Sequence, residues 1–412
     1  MNKTTLFTAI AALLLAGNAN AAKYIVSYDA SRADKVRSAV EKAGGEITKQ
    51  FEIINAFVAE LPDTRGAVKI SKTKGVQAVE EDKVINWLAG EAENMRSSAE
   101  LPSLTEVIAN VAEKQAESAS SIPAVSPAAE ISSSENNSIS SLRSEIPWGI
   151  ARVNASAAWA FTEGAGVKVA VVDTGINYNH KDLADNYAGG YNAINPSATP
   201  LDDQGHGTHV AGTIAAVKNG TGVVGVAPKA KLYAVKVLGG DGSGSYSSII
   251  SGIEWAVKQK VNVINMSLGG GGYMAAMHNA IKEAVNENIT VVCAAGNDSG
   301  PVNYPAKYPE AIAVSASNSY DGIAYFSSRG DEIEYIAPGV DIQSTSMRGG
   351  YEKMSGTSMA CPHVAGLAAL AYGAGHTTPA DVRAAFNKAA EKLGTLSSQL
   401  QGAGLVNAAK LK

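Results

Sequence analysis

Four polar residues in this chain stand where a reactive side chain would have to stand: Asp173, His206, Asn297 and Ser358. Ser358 lies in the run Gly356-Thr-Ser-Met-Ala-Cys-Pro-His-Val-Ala-Gly366. Small residues crowd its N-terminal side (Gly349, Gly350, Ser355, Gly356), so a backbone or a ligand can approach closely. The stretch from Pro362 is rich in helix formers and predicts a helix with the proline in its first turn. Ser358 then sits at a helix N-terminus, where free N–H groups and the helix dipole favour developing negative charge. That suits a nucleophile. Serine is also a common N-cap, and on this segment alone the cap is the simpler account.

A serine nucleophile needs a base, and Asp203-Gln-Gly-His-Gly-Thr-His-Val-Ala-Gly212 offers one. Glycines flank His206 just before a helix predicted from about Thr208, which leaves its imidazole approachable. His209 reads as an ordinary helix histidine. Asp173 ends the apolar run Val169-Ala-Val-Val172, at the carboxyl end of a predicted buried strand; its plain alternative is an aspartate opening a loop. Asn297 closes Val291-Val-Cys-Ala-Ala-Gly-Asn297, and its amide can donate to an oxyanion or simply adopt the left-handed conformation at a strand end. His206 and His209 also share a helix face, with Asp202 and Asp203 nearby, so a zinc site is the rival chemistry. No His-Glu-x-x-His pattern supports it. Gly220-Thr-Gly-Val-Val-Gly225 matches a dinucleotide fingerprint in letters, but it follows a helical pattern rather than a strand.

The elements that position these residues are legible in the apolar runs. From about 144 to 412, Val167–Val172, Lys231–Val237, Val261–Met266, Thr290–Ala294 and Ala311–Ser315 alternate with helical patterns. Their continuous hydrophobicity predicts an α/β fold, a parallel β-sheet flanked by helices on both faces, with ligands at the strands' carboxyl ends. Residues 22–88 predict a small α+β unit in the order βαββαβ: strand 23–28, helix 32–43, a strand pair within 46–61, a short helix 66–73 and a strand 76–84. Between them, 89–143 is dominated by Ser, Ala, Glu, Pro and Asn and reads as a linker.

The chain has 412 residues, is 45% hydrophobic and carries a net charge of −5, with no basic run, so nucleic acid is an unsuited partner. Residues 1–21 read as a secretory signal: Lys3, an apolar stretch from Leu6 to Leu15, and Ala19-Asn-Ala21 for cleavage. That stretch is too short to span a bilayer, so no membrane anchor is expected. Cys293 and Cys361 lie in apolar stretches and read as buried thiols, with a single bridge left open.

Taken together, the blocks around Asp173, His206, Asn297 and Ser358 resemble the subtilisin-like serine proteases. So do Val224-Gly-Val-Ala-Pro228, Asn265-Met-Ser-Leu-Gly-Gly270, Phe326-Ser-Ser and Ala337-Pro-Gly-Val340, and the likeness covers nearly all of 144–412. The resemblance implies a secreted endopeptidase, with periplasmic retention open. In it Ser358 attacks the peptide carbonyl, His206 moves the proton, Asp173 orients His206, and Asn297 holds the oxyanion. It implies that Ser267, Leu268 and Gly269 on one side, and Gly242, Ser243 and Gly244 on the other, sandwich an extended protein or peptide substrate as an added strand. Tyr246 and Ile249 would form an apolar pocket, and Asn303 would belong to the wall of the primary pocket. It implies structural calcium held by Asp182, the carbonyls of Val217, Thr221 and Val223, and the Asn219 side chain, with a further ligand near Ser144. Glu332 and Glu334 would contribute to a second site. Residues 22–88 resemble the family's inhibitory propeptide, cut after Leu88 with Ile85 in the Tyr246/Ile249 pocket, and a second cut falling near Ser144. A monomer is expected. A catalytically silent peptide-binding relative is the other rival reading.

Overall fold

The computed structural model describes residues 21–90 and 145–412. The signal segment before Ala21, the linker from Glu91 and the ligand position near Ser144 lie outside the described residues.

The N-terminal unit has the expected βαββαβ order: β1 (Ala22–Tyr28), α1 (Ala33–Lys42), β2 (Glu46–Gln50), β3 (Ala56–Leu61), α2 (Thr64–Ser71) and β4 (Val76–Glu81). The four strands pair antiparallel in the order β2-β3-β1-β4. One sheet face packs under the helices through Val26, Val36, Val40, Phe57 and Ile70. The other face carries Ile25, Phe51 and Val58, and these join the core of the larger domain. The two central strands, β1 and β3, are buried on both faces and read as largely apolar, while the edge strands β2 and β4 keep polar residues. A further short strand, β5 (Val84–Asn86), leaves this unit altogether.

The larger domain is built on β6 (Lys168–Asp173), β7 (Tyr187–Asn192), β8 (Lys231–Lys236), β10 (Val263–Met266), β11 (Thr290–Ala294), β12 (Ile312–Ser317) and β13 (Ile333–Pro338). They form one sheet in the order β13-β12-β11-β10-β6-β8-β7, every neighbouring pair parallel. Along β6, Val169 and Val171 enter one core while Ala170 and Val172 enter the other; β11 divides Val292 and Ala294 from Val291 and Cys293 in the same way. Successive side chains of a strand point to opposite faces, so both faces here are buried. On the first face lie α3 (His206–Ala215), α6 (Thr357–Gly373) and α7 (Pro379–Ala389); on the second lie α4 (Tyr246–Lys258) and α5 (Ala275–Asn286).

The strands β7 and β13 were not expected from the sequence. β7 reads Tyr-Ala-Gly-Gly-Tyr-Asn, without an apolar run, because a Cβ at Gly190 would fall 2.3 Å from the Ala234 carbonyl oxygen. Only glycine allows that approach. In β13, Glu334 breaks the run and turns outward to Arg383.

Candidate active site

β6 delivers Asp173 to its carboxyl end, fully buried. α3 begins at His206, so the imidazole stands at the helix start, also fully buried. The two meet because residue 207 is glycine: a Cβ there would lie 2.1 Å from the Gly175 carbonyl oxygen. His206 Nδ1 lies 2.8 Å from Asp173 Oδ1, which also accepts from the Thr174 N–H at 2.7 Å. Burial pushes the Asp173 carboxyl above its ordinary value, and the imidazole with its hydrogen bond acts in the opposite sense.

Ser358 is the second residue of α6, behind Gly356 as cap, and is almost fully buried. It is therefore not the cap. Its N–H belongs to the first turn, whose amides have no carbonyl ahead of them in the helix. Pro362 lies one turn further in than the sequence suggested. Having no N–H, it leaves the Ser358 carbonyl without the usual donor four residues on. The Ser267 hydroxyl fills that role at 2.8 Å, and the Ser358 hydroxyl in turn donates to the Ser267 carbonyl at 3.1 Å. Ser267 thereby braces Ser358.

Asn297 lies beside this helix start. Its Oδ1 accepts from the Thr357 N–H at 2.7 Å and from the Thr357 hydroxyl at 2.9 Å, while that hydroxyl accepts from the Gly296 N–H at 3.1 Å. With Oδ1 so engaged, the amide presents its Nδ2 on the side away from Thr357. Sequence reasoning missed Thr357, although it adjoins the serine. A cavity of about 270 Å³ opens here, lined by Leu268, Gly269, Gly296, Asn297, Asn303 and Ser358.

The opposite wall of that cavity is the chain's own residues 86–90. β5 pairs antiparallel with β9 (Ser243–Ser245), Ile85 opposite Gly244. Trp87 follows, its N–H donating to the Gly242 carbonyl at 3.0 Å and its carbonyl accepting from the Gly269 N–H at 3.2 Å. Gly242, Ser243, Gly244 and Gly269 thus flank the chain's own residues 84–87. The pocket's occupant is not the expected one. Trp87, 2% exposed, packs edge-on against Tyr246 with ring centroids 5.0 Å apart, and its indole N–H donates to the Gly244 carbonyl at 2.9 Å. Ile85 stays half-buried. The strand ends at Asn86 and turns, which swings the larger ring inward, and it buries more apolar area than isoleucine. Ile249 is buried in the same core. Glu80 accepts from the N–H groups of Ala275 and Ala276 (2.7 and 3.2 Å), and Asp82 from Ser247 N–H at 2.9 Å. Two carboxylates thus dock on the N-termini of α5 and α4.

His206 and His209 are not brought together on a metal. His209 Nε2 lies 2.8 Å from the Ile342 carbonyl oxygen, and burial holds its imidazole down at about 3. Gly220–Gly225 lies in a loop after α3, with no helix following. Cys293 and Cys361 are buried free thiols, Cys361 Sγ lying 3.3 Å from Asn265 Oδ1; burial raises both.

Asp182 is fully buried, with Asn219 Nδ2 at 3.0 Å from Oδ1 and the Tyr351 hydroxyl at 2.7 Å from Oδ2. The expected contribution of Asn219 is reversed: its Oδ1 accepts from the Thr221 N–H and hydroxyl, an Asx turn, and it shows Asp182 its nitrogen. Glu145, which sequence reasoning passed over, is buried and accepts from the Asn219 and Gly220 N–H groups at 2.9 Å. Among the described residues no group of three or more His, Cys, Asp or Glu side chains could hold a metal. Any cation here would rely on backbone carbonyls, such as those of Val217, Thr221 and Val223, as well as carboxylate. Glu332 and Glu334 do not form a second site, because they pair with Lys307 and Arg383.

Residues 164–404 match the model of the subtilase family. The chain is 40% identical over 398 residues to subtilisin E of Bacillus subtilis (strain 168), covering 93% of this chain and 89% of that protein. It is 49% identical over 271 residues to a subtilisin of Bacillus pumilus, covering 64% of this chain and 97% of the relative. An alkaline protease of Shouchella clausii is 46% identical over 277 residues, 66% of this chain and 72% of that protein. With a buried Asp–His pair at strand and helix ends, a serine at a second helix start, and likeness running through both domains, this chain belongs to the subtilase family and is a subtilisin-like serine endopeptidase.

Proposed function

We propose that this protein is a secreted endopeptidase, made as a self-inhibited precursor, in which Ser358, His206 and Asp173 form the catalytic triad. The observation that carries the reading is the 2.8 Å Asp173–His206 bond, buried at the end of the sheet, with Ser358 in the first turn of α6. Ser358 Oγ, rotated off the Ser267 carbonyl, attacks the substrate carbonyl carbon while His206 Nε2 takes its proton. Asp173 holds Nδ1–H and stabilises the imidazolium. Asn297 Nδ2 and the Ser358 N–H receive the oxyanion. Collapse passes the proton to the leaving amine and leaves an acyl-enzyme, which a water molecule hydrolyses by the same route. A fluorophosphonate probe tests this directly. Wild-type protein labels and Ser358→Ala does not; labelling of the alanine variant, or an active wild type that stays unlabelled, refutes the serine mechanism.

Residues 22–88 act as the inhibitory propeptide, a reading supported by β5 and Trp87 in the cleft and by Glu80 and Asp82 on two helix ends. Processing near Leu88 and again near Ser144 would remove the intervening linker, with no membrane anchor and a monomeric product. N-terminal sequencing of the exported enzyme checks this, and a start before residue 80 would sink it.

Calcium fits the Asp182 loop on the chemistry of its donors. Asp182 and Glu145 are buried carboxylates whose hydrogen-bond partners are all neutral. An oxygen-rich, negatively charged pocket suits that hard cation, which would supply structural cross-linking rather than chemistry. The Asn219 amide would turn over to offer Oδ1. Calcium is expected to raise the melting temperature of stripped Ser358→Ala protein and to have no such effect on an Asp182→Asn version; equal shifts would exclude this loop.

A further inference from the structure

Asp202 is a buried carboxylate beside the catalytic pair that the mechanism above does not use. We infer that Asp202 is a positioning residue, holding the first turn of α3 and the Thr174 hydroxyl so that His206 and Asp173 keep their mutual geometry. The inference rests on the proposed triad.

Asp202 is 7% exposed, and both its oxygens are engaged. Oδ1 accepts from Gln204 N–H at 3.0 Å, Gly205 N–H at 2.9 Å and the Thr174 hydroxyl at 2.9 Å. Oδ2 accepts from Thr208 N–H at 2.9 Å and the Thr208 hydroxyl at 2.5 Å. The Thr174 hydroxyl in turn accepts from Gly207 N–H at 2.9 Å. The N–H groups of Gly205, Gly207 and Thr208, which bracket His206, are thus all satisfied by Asp202 directly or through Thr174. These are the amides a helix start leaves without carbonyl partners, and an anion is favoured there. The formal cap, Gly205, has no side chain to do it.

The same carboxylate reaches Asp173. Among the described residues Asp173 Oδ2 has no hydrogen-bond partner, so its orientation depends on Oδ1, which is held by His206 and by the N–H of Thr174. Thr174 is fixed by Asp202 at its hydroxyl and by Lys236 Nζ at its carbonyl, 2.7 Å away. Asp203 cannot replace its neighbour, because it turns outward to Lys236 Nζ at 2.6 Å. Lys236, Asp203, Asp173, His206 and the neutral His209 are the titratable groups around this network. The Asp202 charge also acts on Asp173 through space.

The test compares Asp202→Asn, Asp202→Ala and Thr174→Val, each made as full chain and assayed after maturation. Asp202→Ala is expected to lower kcat on the order of 100-fold, with KM changed less than about threefold, because misplacing a catalytic group by about an ångström costs that much. Fluorophosphonate labelling slows in parallel. Asp202→Asn keeps one acceptor and falls between; the lost negative charge disfavours the imidazolium, so its acid limb of kcat moves to lower pH. Thr174→Val lowers kcat about tenfold in the same sense. Wild-type kcat and an unmoved acid limb in Asp202→Asn overturn the inference, as does a change confined to KM. If Asp202→Ala does not accumulate as folded protein, the Asn and Val variants decide. Activity of Ser358→Ala close to the wild-type level would instead refute the triad itself.

Discussion

At the scale of single residues, the site depends on side chains that do no chemistry themselves. Pro362 withholds a donor from the Ser358 carbonyl, and Ser267 supplies one. Thr357 does the equivalent for Asn297. A primary amide can present either end, and Thr357 occupies the oxygen twice, through its N–H and its hydroxyl. Thr357→Val keeps the N–H bond, loses the hydroxyl, and leaves Gly296 N–H without its acceptor. One lost hydrogen bond of about 1 kcal/mol corresponds to a fall in kcat of roughly fivefold if it acts on the oxyanion alone. KM should stay within about twofold, since the bond matters only once negative charge develops. Steady-state kinetics on a chromogenic peptide checks this, and an unchanged kcat would show that Asn297 needs no such support.

At the scale of elements, Trp87 is the clearest case of a strap fastened by one side chain. Its indole is buried against Tyr246, and at Gly271 a Cβ would meet the ring at 2.6 Å. Truncating a buried tryptophan costs about 3–5 kcal/mol. In an uncut Ser358→Ala chain, Trp87→Ala should therefore expose residues 22–90 to limited trypsin digestion at least about 100-fold faster, with the catalytic domain still resistant. Trp87→Phe keeps most of the area but loses the bond to Gly244, and should lie between. Equal digestion rates in all three would show that the strap is held elsewhere. The sequence announced the strand that ends in Asp173 and the strand that leads to Asn297, because their apolar runs are unbroken. It also announced the βαββαβ order. It did not announce β7, whose glycines answer to the Ala234 backbone, or the seating of Trp87, which depends on where β5 turns. Nor could it reveal Glu145 or Thr357, or that Asp202, considered only as a zinc carboxylate, is buried on the start of α3, since a buried cap is written in the same letters as an exposed one. The family resemblance implied Ile85 in the pocket, from a cut after Leu88; Trp87 is the side chain that packs on Tyr246.

At the scale of the whole molecule, two buried histidines away from the chemistry tie stability to pH. His209 on α3 faces the Ile342 carbonyl, and His363 on α6 lies 2.8 Å from the Met359 carbonyl with Gly149 packed against its ring. Burial holds them at about 3 and about 4, against an ordinary value near 6.5. Between those values the unfolded chain binds protons that the folded chain refuses. The stability they allow is whole above the ordinary value and is lost as pH falls through the window from about 6.5 toward 4 for His363 and 3 for His209. Each uncompensated proton is worth about 1.4 kcal/mol per pH unit, so together they contribute a slope of roughly 3 kcal/mol per unit within the shared part of the window. Urea unfolding of full-length Ser358→Ala protein, followed from about pH 7.5 to 4.5 at one calcium concentration, should show that steepening below about 6.5. Gln at position 209 can still donate to Ile342 but does not titrate. His209→Gln should therefore lower stability at neutral pH and yet remove about half of this added acid slope. A slope identical to the parent's would show that His209 does not carry this part of the acid sensitivity.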